Sequence, residues 1–199
     1  MLLLAESDKD ALFVREALTP SGLDLPERFV CEVRAFDQLG AALTESFQAA
    51  FLLDPPPLEA EAWERVLDFA EGGGGVAVCL GHRAELAPMN SVAAGRILPG
   101  PLKMQARDET FFRPQRLDHP ALAALSDYQE TIPWPECRVF TYWELERLEA
   151  DVYVVARYAN GEPALIERLA GRGRLLTFTT PLSDPLAPVG REPWNVLPA

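Results

Sequence analysis

One short segment of the chain carries residues whose types and spacing could support nucleophilic chemistry. Cys79 directly follows the apolar run 76–78, and Gly81 and His82 come two and three positions after it. A thiol at the end of a buried strand, before a glycine that permits a sharp turn, has the arrangement of a nucleophile elbow. A helix N-terminus after that turn would favour the thiolate. Cys79 is therefore a candidate catalytic nucleophile.

Few side chains could assist this thiol. The sequence contains two histidines, of which His119 precedes a proline in an irregular segment. His82 is the candidate base, although a helix after the turn would point it along that helix and away from the sulfur. Glu6 is the candidate orienting acid, but its ordinary role would be a solvated or helix-capping carboxylate, and its charge beside a thiolate would raise the thiol pKa. A small buried residue ending a strand is thus the favoured interpretation of Cys79.

The first half of the chain alternates apolar runs with helical patterns. Strands are predicted over 1–5, 29–34, 49–53 and 76–80, and helices over 8–18, 36–43 and 58–71. This alternation predicts parallel strands covered by helices on both faces, with sites beyond the carboxyl ends of the strands. We therefore expect Glu6, Asp54 and Cys79 to lie at one edge of the sheet.

The second half of the chain has a different pattern. Residues 97–135 are rich in proline and arginine, with a short helix predicted over 120–125, and strands are predicted over 138–143, 152–158 and 175–179. These features predict an insertion near the site edge and an antiparallel extension. The predicted fold is α/β: a flavodoxin-like three-layer sandwich with a mostly parallel sheet and an antiparallel C-terminal extension. Residues 1–199 form one domain in this prediction, with a doubly wound half (1–96) and the insertion and extension (97–199).

Composition excludes several classes of partner. The net charge of −12 over 199 residues disfavours nucleic acid and anionic lipid, and no apolar stretch approaches the roughly 20 residues that cross a bilayer. Cys31, Cys79 and Cys137 lack metal-binding spacing. The glycine run 72–75 leads from a helix into a strand, the reverse of a phosphate loop. We expect no cofactor, no metal, no nucleic acid and no membrane insertion by this chain; compartment and oligomeric state stay open.

Residues 78–82 resemble the nucleophile segment of class I glutamine amidotransferases. That resemblance implies a thiolate that attacks the glutamine amide, a His-x-Glu element after a late strand and a glycine-rich oxyanion loop. Here Thr179 and Pro181 stand at the positions of that histidine and glutamate, and Asp54 followed by three prolines stands at the loop. Threonine cannot take a proton from a thiol near neutral pH, and proline has no N–H to donate. The chain therefore matches the nucleophile segment of this family but lacks the histidine, the glutamate and the oxyanion loop that its reaction requires.

A second resemblance spans nearly the whole chain. The order of its segments looks like the amidotransferase-like domain of BatA-type bacterial membrane proteins, which also carry a von Willebrand factor A domain. The matching segments are 13–20, 50–56, 67–81, Asn90 with 97–99, 118–122, 161–165, 171–180 and 194–198. The resemblance implies a soluble module beside a membrane-anchored domain, and that branch does not depend on a cysteine at the elbow.

Three hypotheses of function follow. The first is a non-catalytic amidotransferase-like domain that acts as an interaction or ligand-sensing module of a larger envelope-associated protein, with a protein partner or membrane-anchored module. The alternative is an amidohydrolase or glutamine amidotransferase in which Cys79 attacks, His82 is the base and Glu6 orients it. The third is a purely structural spacer.

Overall fold

A mixed β-sheet of nine strands organises residues 1–19 and 29–182, which are the residues that the computed structural model describes. The strands are β1 (Leu2–Leu4), β2 (Glu32–Arg34), β3 (Ala49–Leu53), β4 (Gly75–Cys79), β5 (Leu102–Arg113), β6 (Arg138–Leu145), β7 (Val152–Tyr158), β8 (Pro163–Ala170) and β9 (Gly173–Phe178). Their order across the sheet is β2-β1-β3-β4-β9-β8-β7-β5-β6.

Helices contribute less than the sheet. They are α1 (Asp8–Leu18), α2 (Leu39–Ala42), α3 (Ala60–Glu71), α4 (Leu86–Met89) and α5 (Val92–Gly95), with 3-10 turns at Phe36–Gln38, Ala123–Tyr128 and Trp134–Glu136. The longest, α3, buries Trp63, Val66, Leu67 and Ala70, which is the apolar stripe expected of a helix on a sheet. Among the described residues, no helix has the length and apolar character to cross a membrane.

The two faces of the sheet have different cover. On the α1 face, which carries Leu3, Leu53 and Cys79, helix α1 packs over the carboxyl half of the parallel strands. On the α3 face, which carries Leu52 and Val78, helix α3 forms the larger core. Alternate residues of each strand point to opposite faces, so one short strand contributes to both cores.

The path of the chain after β4 determines how each face is covered. Leu80, Ala84, Met89 and Ala94 are all buried in the core of the α3 face, and α5 packs against α3. Both short helices that follow β4 therefore lie on the α3 face. In the part of the chain that the structure describes, no helix follows β4 on the α1 face.

The predicted fold class, a flavodoxin-like three-layer sandwich with a mostly parallel sheet, is wrong. Strands β2, β1, β3, β4 and β9 are parallel neighbours, but β9, β8, β7, β5 and β6 are joined by four antiparallel pairings. The sheet is thus mixed, and antiparallel over its far half. Among the described residues, α1 and α3 are the only α-helices longer than about one turn, so the helix layers of a doubly wound fold are incomplete.

Two strands account for much of this error. Strand β5 lies in the segment predicted as an irregular insertion, because its buried residues Leu102, Ala106 and Thr110 are four positions apart and give no alternation. Strand β8 begins at a proline and was absent from the strands predicted by pattern. The segment 117–134 does not pack near the site edge as expected; it covers β7, β8 and β9 on the α1 face.

A close approach of backbone to Gly173 sets the position of β9 against α3. A Cβ atom at this position would lie 2.1 Å from the Ala70 carbonyl oxygen and 2.2 Å from the Gly74 carbonyl oxygen. Because neither backbone atom can rotate away, we expect Gly173→Ala to lower the free energy of unfolding by about 2–3 kcal/mol in urea titrations. The control is Gly95→Ala, where a Cβ meets nothing within 4 Å. Equal stability of the two variants would contradict this account of the packing.

Candidate functional site

The carboxyl ends of β1, β3 and β4 bring together the polar residues of one sheet edge. Glu6 follows β1, Asp54 follows β3, and His82 and Arg83 follow β4. Strand β1 lies between β2 and β3, so the chain leaves it in one direction and crosses to the other side for β3. Such a switch point is where open α/β sheets form their sites. The prediction that Glu6, Asp54 and Cys79 lie on adjacent strand ends agrees with this arrangement.

Asp54 is the centre of the cluster. Its backbone has φ 50°, the left-handed region, and the residue is only 5% exposed. The carboxylate Oδ2 lies 2.7 Å from His82 Nδ1, and Oδ1 accepts the backbone N–H of Arg83 at 3.0 Å. With Nδ1 facing the carboxylate, the half-exposed imidazole of His82 leaves Nε2 as its second polar atom.

Gly81 makes room for this carboxylate. A Cβ on Gly81 would lie 2.4 Å from Asp54 Cγ, so a side chain there would expel the carboxyl group. The Gly81 carbonyl oxygen accepts a hydrogen bond from Trp143 Nε1 at 2.9 Å, and the indole itself is buried. The turn after β4 is therefore fixed from two sides.

Arg83 links the cluster to the strand on its other side. Its Nη1 lies 2.7 Å from Glu6 Oε2, its Nε lies 3.5 Å from Asp54 Oδ2, and its guanidinium carbon lies 5.9 Å from the centre of the Phe36 ring. One cation therefore faces two carboxylates and an aromatic ring. Glu6 pairs with Arg83 and not with His82, so the acid that orients His82 is Asp54.

Burial dominates the electrostatics here. It raises the pKa of Asp54, although the nearby charges of His82 and Arg83 act in the opposite direction. It also raises the pKa of Cys79 strongly, and the Asp54 carboxylate adds to that effect. A catalytic thiol needs the opposite shift.

The Cys79 side chain lies in the apolar core of the α1 face. The residue is 0% exposed and packs beneath α1 with Leu3, Ala11 and Val14. Its sulfur has no hydrogen-bond partner among residues 1–19 and 29–182, so no imidazole there is in contact with it. The expected helix N-terminus is also absent from the turn, since α4 begins only at Leu86. The catalytic roles given to Cys79, His82 and Glu6 stay predictions, and in this geometry the three do not meet.

Thr179, at the position of the family's histidine, has a structural role. It is 0% exposed; its hydroxyl donates to the Pro163 carbonyl oxygen at 2.9 Å and lies 2.9 Å from the Tyr158 hydroxyl. Because Thr179 has one hydroxyl proton, Tyr158 is the donor in the second bond. This network ties the end of β9 to β7 and β8.

The space beside His82 is small. A cavity of about 20 Å³ is lined by Asp54, His82 and Leu182 among others, which is room for about one water molecule. The backbone N–H of Asp54 donates to the Cys79 carbonyl oxygen at 2.9 Å and is not free for an oxyanion. Within the described ranges, no group of three or more His, Cys, Asp or Glu side chains is placed to hold a metal.

Sequence reasoning found this edge but not its contacts. Asp54 was expected there without a partner, and Arg83 was not singled out. The available signal was an aspartate directly after a buried strand, since aspartate tolerates the left-handed backbone that a turn there requires. The pairing with His82 depends on residues from two strands and has no local signature.

Comparison with known proteins agrees with a fold-level relationship. No protein-family model matches the chain, and no curated protein is significantly similar to it. A cytoplasmic protein from Salmonella typhimurium superposes with a TM-score of 0.64 at 16% identity, covering 92% of this chain and 87% of its own. A ThuA-like protein from Bacteroides uniformis gives 0.61 at 12% identity, with 92% and 82% covered. A β-galactosidase from Bacillus circulans gives 0.61 at 10% identity, with 92% of this chain but 28% of the enzyme covered.

These likenesses concern the fold alone, because every identity is far below 25%. The fold is related to that of ThuA-like proteins, which belong to the amidotransferase-like class. The resemblance to class I amidotransferases is thus supported at the level of fold, while the relationship to BatA-type proteins stays a prediction.

The contacts of Asp54 predict a graded response to substitution. Asp54→Ala removes the acceptor of the Arg83 N–H, leaves the side chains of His82 and Arg83 without their buried partner and puts alanine at positive φ. We expect it to lower the free energy of unfolding by about 2–4 kcal/mol. Asp54→Asn keeps an acceptor and tolerates the backbone, so its loss should be about half as large.

Urea titration of both variants measures this difference. The control is Asp68→Ala, on the exposed side of α3, which should change stability by less than about 0.5 kcal/mol. If Asp54→Ala were as mild as that control, the buried carboxylate would not organise this edge.

Proposed function

We propose that this chain is a non-catalytic amidotransferase-like domain that acts as an interaction or ligand-binding module of a larger protein or assembly. The observation that carries the proposal is the position of Cys79. Its sulfur lies in a closed apolar core beneath α1, without a base, while the edge where a nucleophile would act is occupied by the Asp54–His82–Arg83–Glu6 cluster.

The chemistry of the thiols supports this proposal. Burial raises the pKa of Cys31 and Cys137 as well as that of Cys79, and a cysteine nucleophile requires a thiolate near neutral pH. Removal of the thiol proton also needs a base, and Thr179, at the position of the family's histidine, donates its hydroxyl proton to the Pro163 carbonyl oxygen. Attack on an amide would further need oxyanion donors, which the prolines after Asp54 cannot supply.

The comparison with the β-galactosidase supports the idea of a module. The matched region is 28% of that chain, so a unit of this fold can be one part of a longer protein. The association with a membrane-anchored protein of the envelope rests on the sequence resemblance alone.

One observation favours a second candidate function. The Asp54–His82 pair, at 2.7 Å with a half-exposed imidazole, has the geometry of an oriented general base. An amidohydrolase that uses Cys79 would need α1 to move so that the sulfur reaches this imidazole. In that case Cys79→Ser and His82→Gln should each abolish ammonia release from glutamine.

Alkylation of the three cysteines distinguishes these functions. We expect iodoacetamide to label Cys31 and Cys137, which are partly exposed, slowly at neutral pH and with rates that still increase beyond about pH 8.5, because their pKa values are raised. Cys79 should resist labelling in the folded protein and react fully in urea. Peptide mass spectrometry after timed labelling measures all three residues in one sample.

The matched assay is ammonia release from glutamine by the wild-type chain and by Cys79→Ser. We expect no release from either protein. Rapid labelling of Cys79 at pH 7, together with turnover lost in Cys79→Ser and His82→Gln, would replace the non-catalytic proposal with the enzymatic one.

A further inference from the structure

An apolar groove lies on the α1 face at the edge opposite the Asp54 cluster. It has a volume of about 260 Å³, and its floor is formed by Ala49 and Phe51 of β3, Gly75 and Ala77 of β4, and Leu176 of β9. The small residues at the centre of this floor leave the space open. The groove lies where the parallel strands begin, so it is separate from the candidate site.

The course of the chain explains why this floor is only partly covered. Helix α1 packs over Leu3, Leu53 and Cys79, toward the carboxyl ends of the strands. The segment 117–134 packs over β7, β8 and β9, and the helices after β4 lie on the other face. Between these two elements, Ala49, Phe51, Gly75 and Leu176 keep part of their surface exposed, and Ala77 at the bottom of the groove is 4% exposed.

One end of the groove carries a polar cluster. Glu167 is 9% exposed; its Oε1 lies 2.7 Å from Arg174 Nη1 and its Oε2 lies 3.3 Å from His119 Nε2. His119 Nδ1 accepts the backbone N–H of Ala121 at 3.2 Å, and the imidazole stacks on Tyr153 at 5.6 Å between ring centres. Because Nδ1 accepts the Ala121 N–H, a neutral His119 carries its proton on Nε2, which donates it to Glu167.

The donors left over at this end belong to Arg174. Glu167 accepts from two partners, and both nitrogens of His119 are bonded. Arg174 uses one nitrogen on Glu167, its side chain is 55% exposed, and a guanidinium has five N–H donors in a planar fork. That fork matches a carboxylate, which it can bind through two parallel hydrogen bonds.

We propose that this groove binds a small organic carboxylate with an apolar body, the body resting on Ala49, Ala77 and Leu176 and the carboxylate on Arg174. A volume of about 260 Å³ corresponds to roughly nine water molecules, which suits a ligand of roughly ten heavy atoms. A protein partner would need a contact surface of about 800 Å², which a groove of this size does not offer. The site adds a ligand class to the binding role proposed above and does not depend on whether Cys79 is reactive.

The test uses 3-phenylpropanoate as the probe on the full chain. We expect a dissociation constant on the order of 1 mM, measured by NMR titration, and intermolecular NOEs from the phenyl ring to the methyl groups of Ala77 and Leu176. The neutral analogue 3-phenylpropanamide and the cation 2-phenylethylammonium should bind at least about tenfold more weakly, because only the carboxylate pairs with the guanidinium.

Two variants with matched controls assign the contacts. Arg174→Gln should weaken the carboxylate about tenfold and bring it level with the amide, whereas Arg172→Gln, which removes the same charge outside the groove, should change affinity less than about twofold. Ala49→Leu should fill the floor and abolish binding of both probes, whereas Ala60→Leu at the exposed start of α3 should leave it unchanged.

The wild-type measurements alone can overturn the proposal, whether or not the variants fold. Absence of binding at 10-fold above the expected constant, on the order of 10 mM, would refute it. So would equal affinity for carboxylate and amide, or NOEs that place the ring elsewhere. NOEs in the free protein from another part of the chain to the Ala77 methyl group would show that the floor has an internal occupant, and would equally end the proposal.

Discussion

The burial of one carboxylate at the end of β3 is the constraint on which the rest of this arrangement depends. Asp54 accepts the backbone N–H of Arg83, so it fixes the direction in which the chain leaves β4, and Gly81 is required because any side chain there would occupy the carboxylate's place. From this turn the chain passes to the α3 face, where Ala84 and Met89 are buried. A buried charge is tolerated only when it is paired and hydrogen-bonded, and His82 and Arg83 provide the pairing. The same turn therefore satisfies the charge and sends the next helices away from the α1 face.

The placement of α4 and α5 on the α3 face has two consequences for the opposite face of β4. At the carboxyl end, Cys79 has no helix N-terminus to stabilise a thiolate, and α1 covers its sulfur with apolar side chains, which favours the neutral thiol. At the amino end, Gly75 of the same strand stays partly exposed and Ala77 lies at the bottom of the groove. Both features sit on alternate residues of a single strand. The path of the chain after β4 thus accounts for a buried cysteine at one end of this strand and an apolar groove at the other.

The sequence predicted local elements well and the assembly of the sheet poorly. The helix over 8–18 and the strands over 49–53 and 152–158 have the predicted bounds, because their periodicity comes from burial on one or both faces. Strand β5 is not predicted because half of its twelve residues are exposed and its buried residues are four positions apart, so its sequence shows no alternation of apolar and polar residues. The edge of the candidate site was predictable from the rule that parallel strands end together. The burial of Cys79 was not predictable, since it depends on which face α1 covers. The Asp54–His82 pair was not predictable either, because it depends on the register between β3 and β4. Residues 194–198, which carried part of the BatA resemblance, lie outside the described residues.

Electrostatics separates the two edges further. At the carboxyl edge, Asp54 and Glu6 share one permanently charged partner, Arg83, and His82 adds a positive charge only when it is protonated. At the amino edge, Glu167 forms an ion pair with Arg174, whose guanidinium has further N–H donors beyond the one used in that pair. In a chain with a net charge of −12, an anionic ligand gains nothing from the long-range field, which is screened beyond about 10 Å. Such a ligand must be recognised by direct hydrogen bonds to a cation that still has free N–H donors and by burial of its apolar part. The amino edge offers both within one groove, whereas the carboxyl edge offers a space of about 20 Å³ lined by a paired carboxylate. The proposed ligand would therefore bind at the amino ends of the parallel strands, opposite the edge where open α/β sheets usually place their sites.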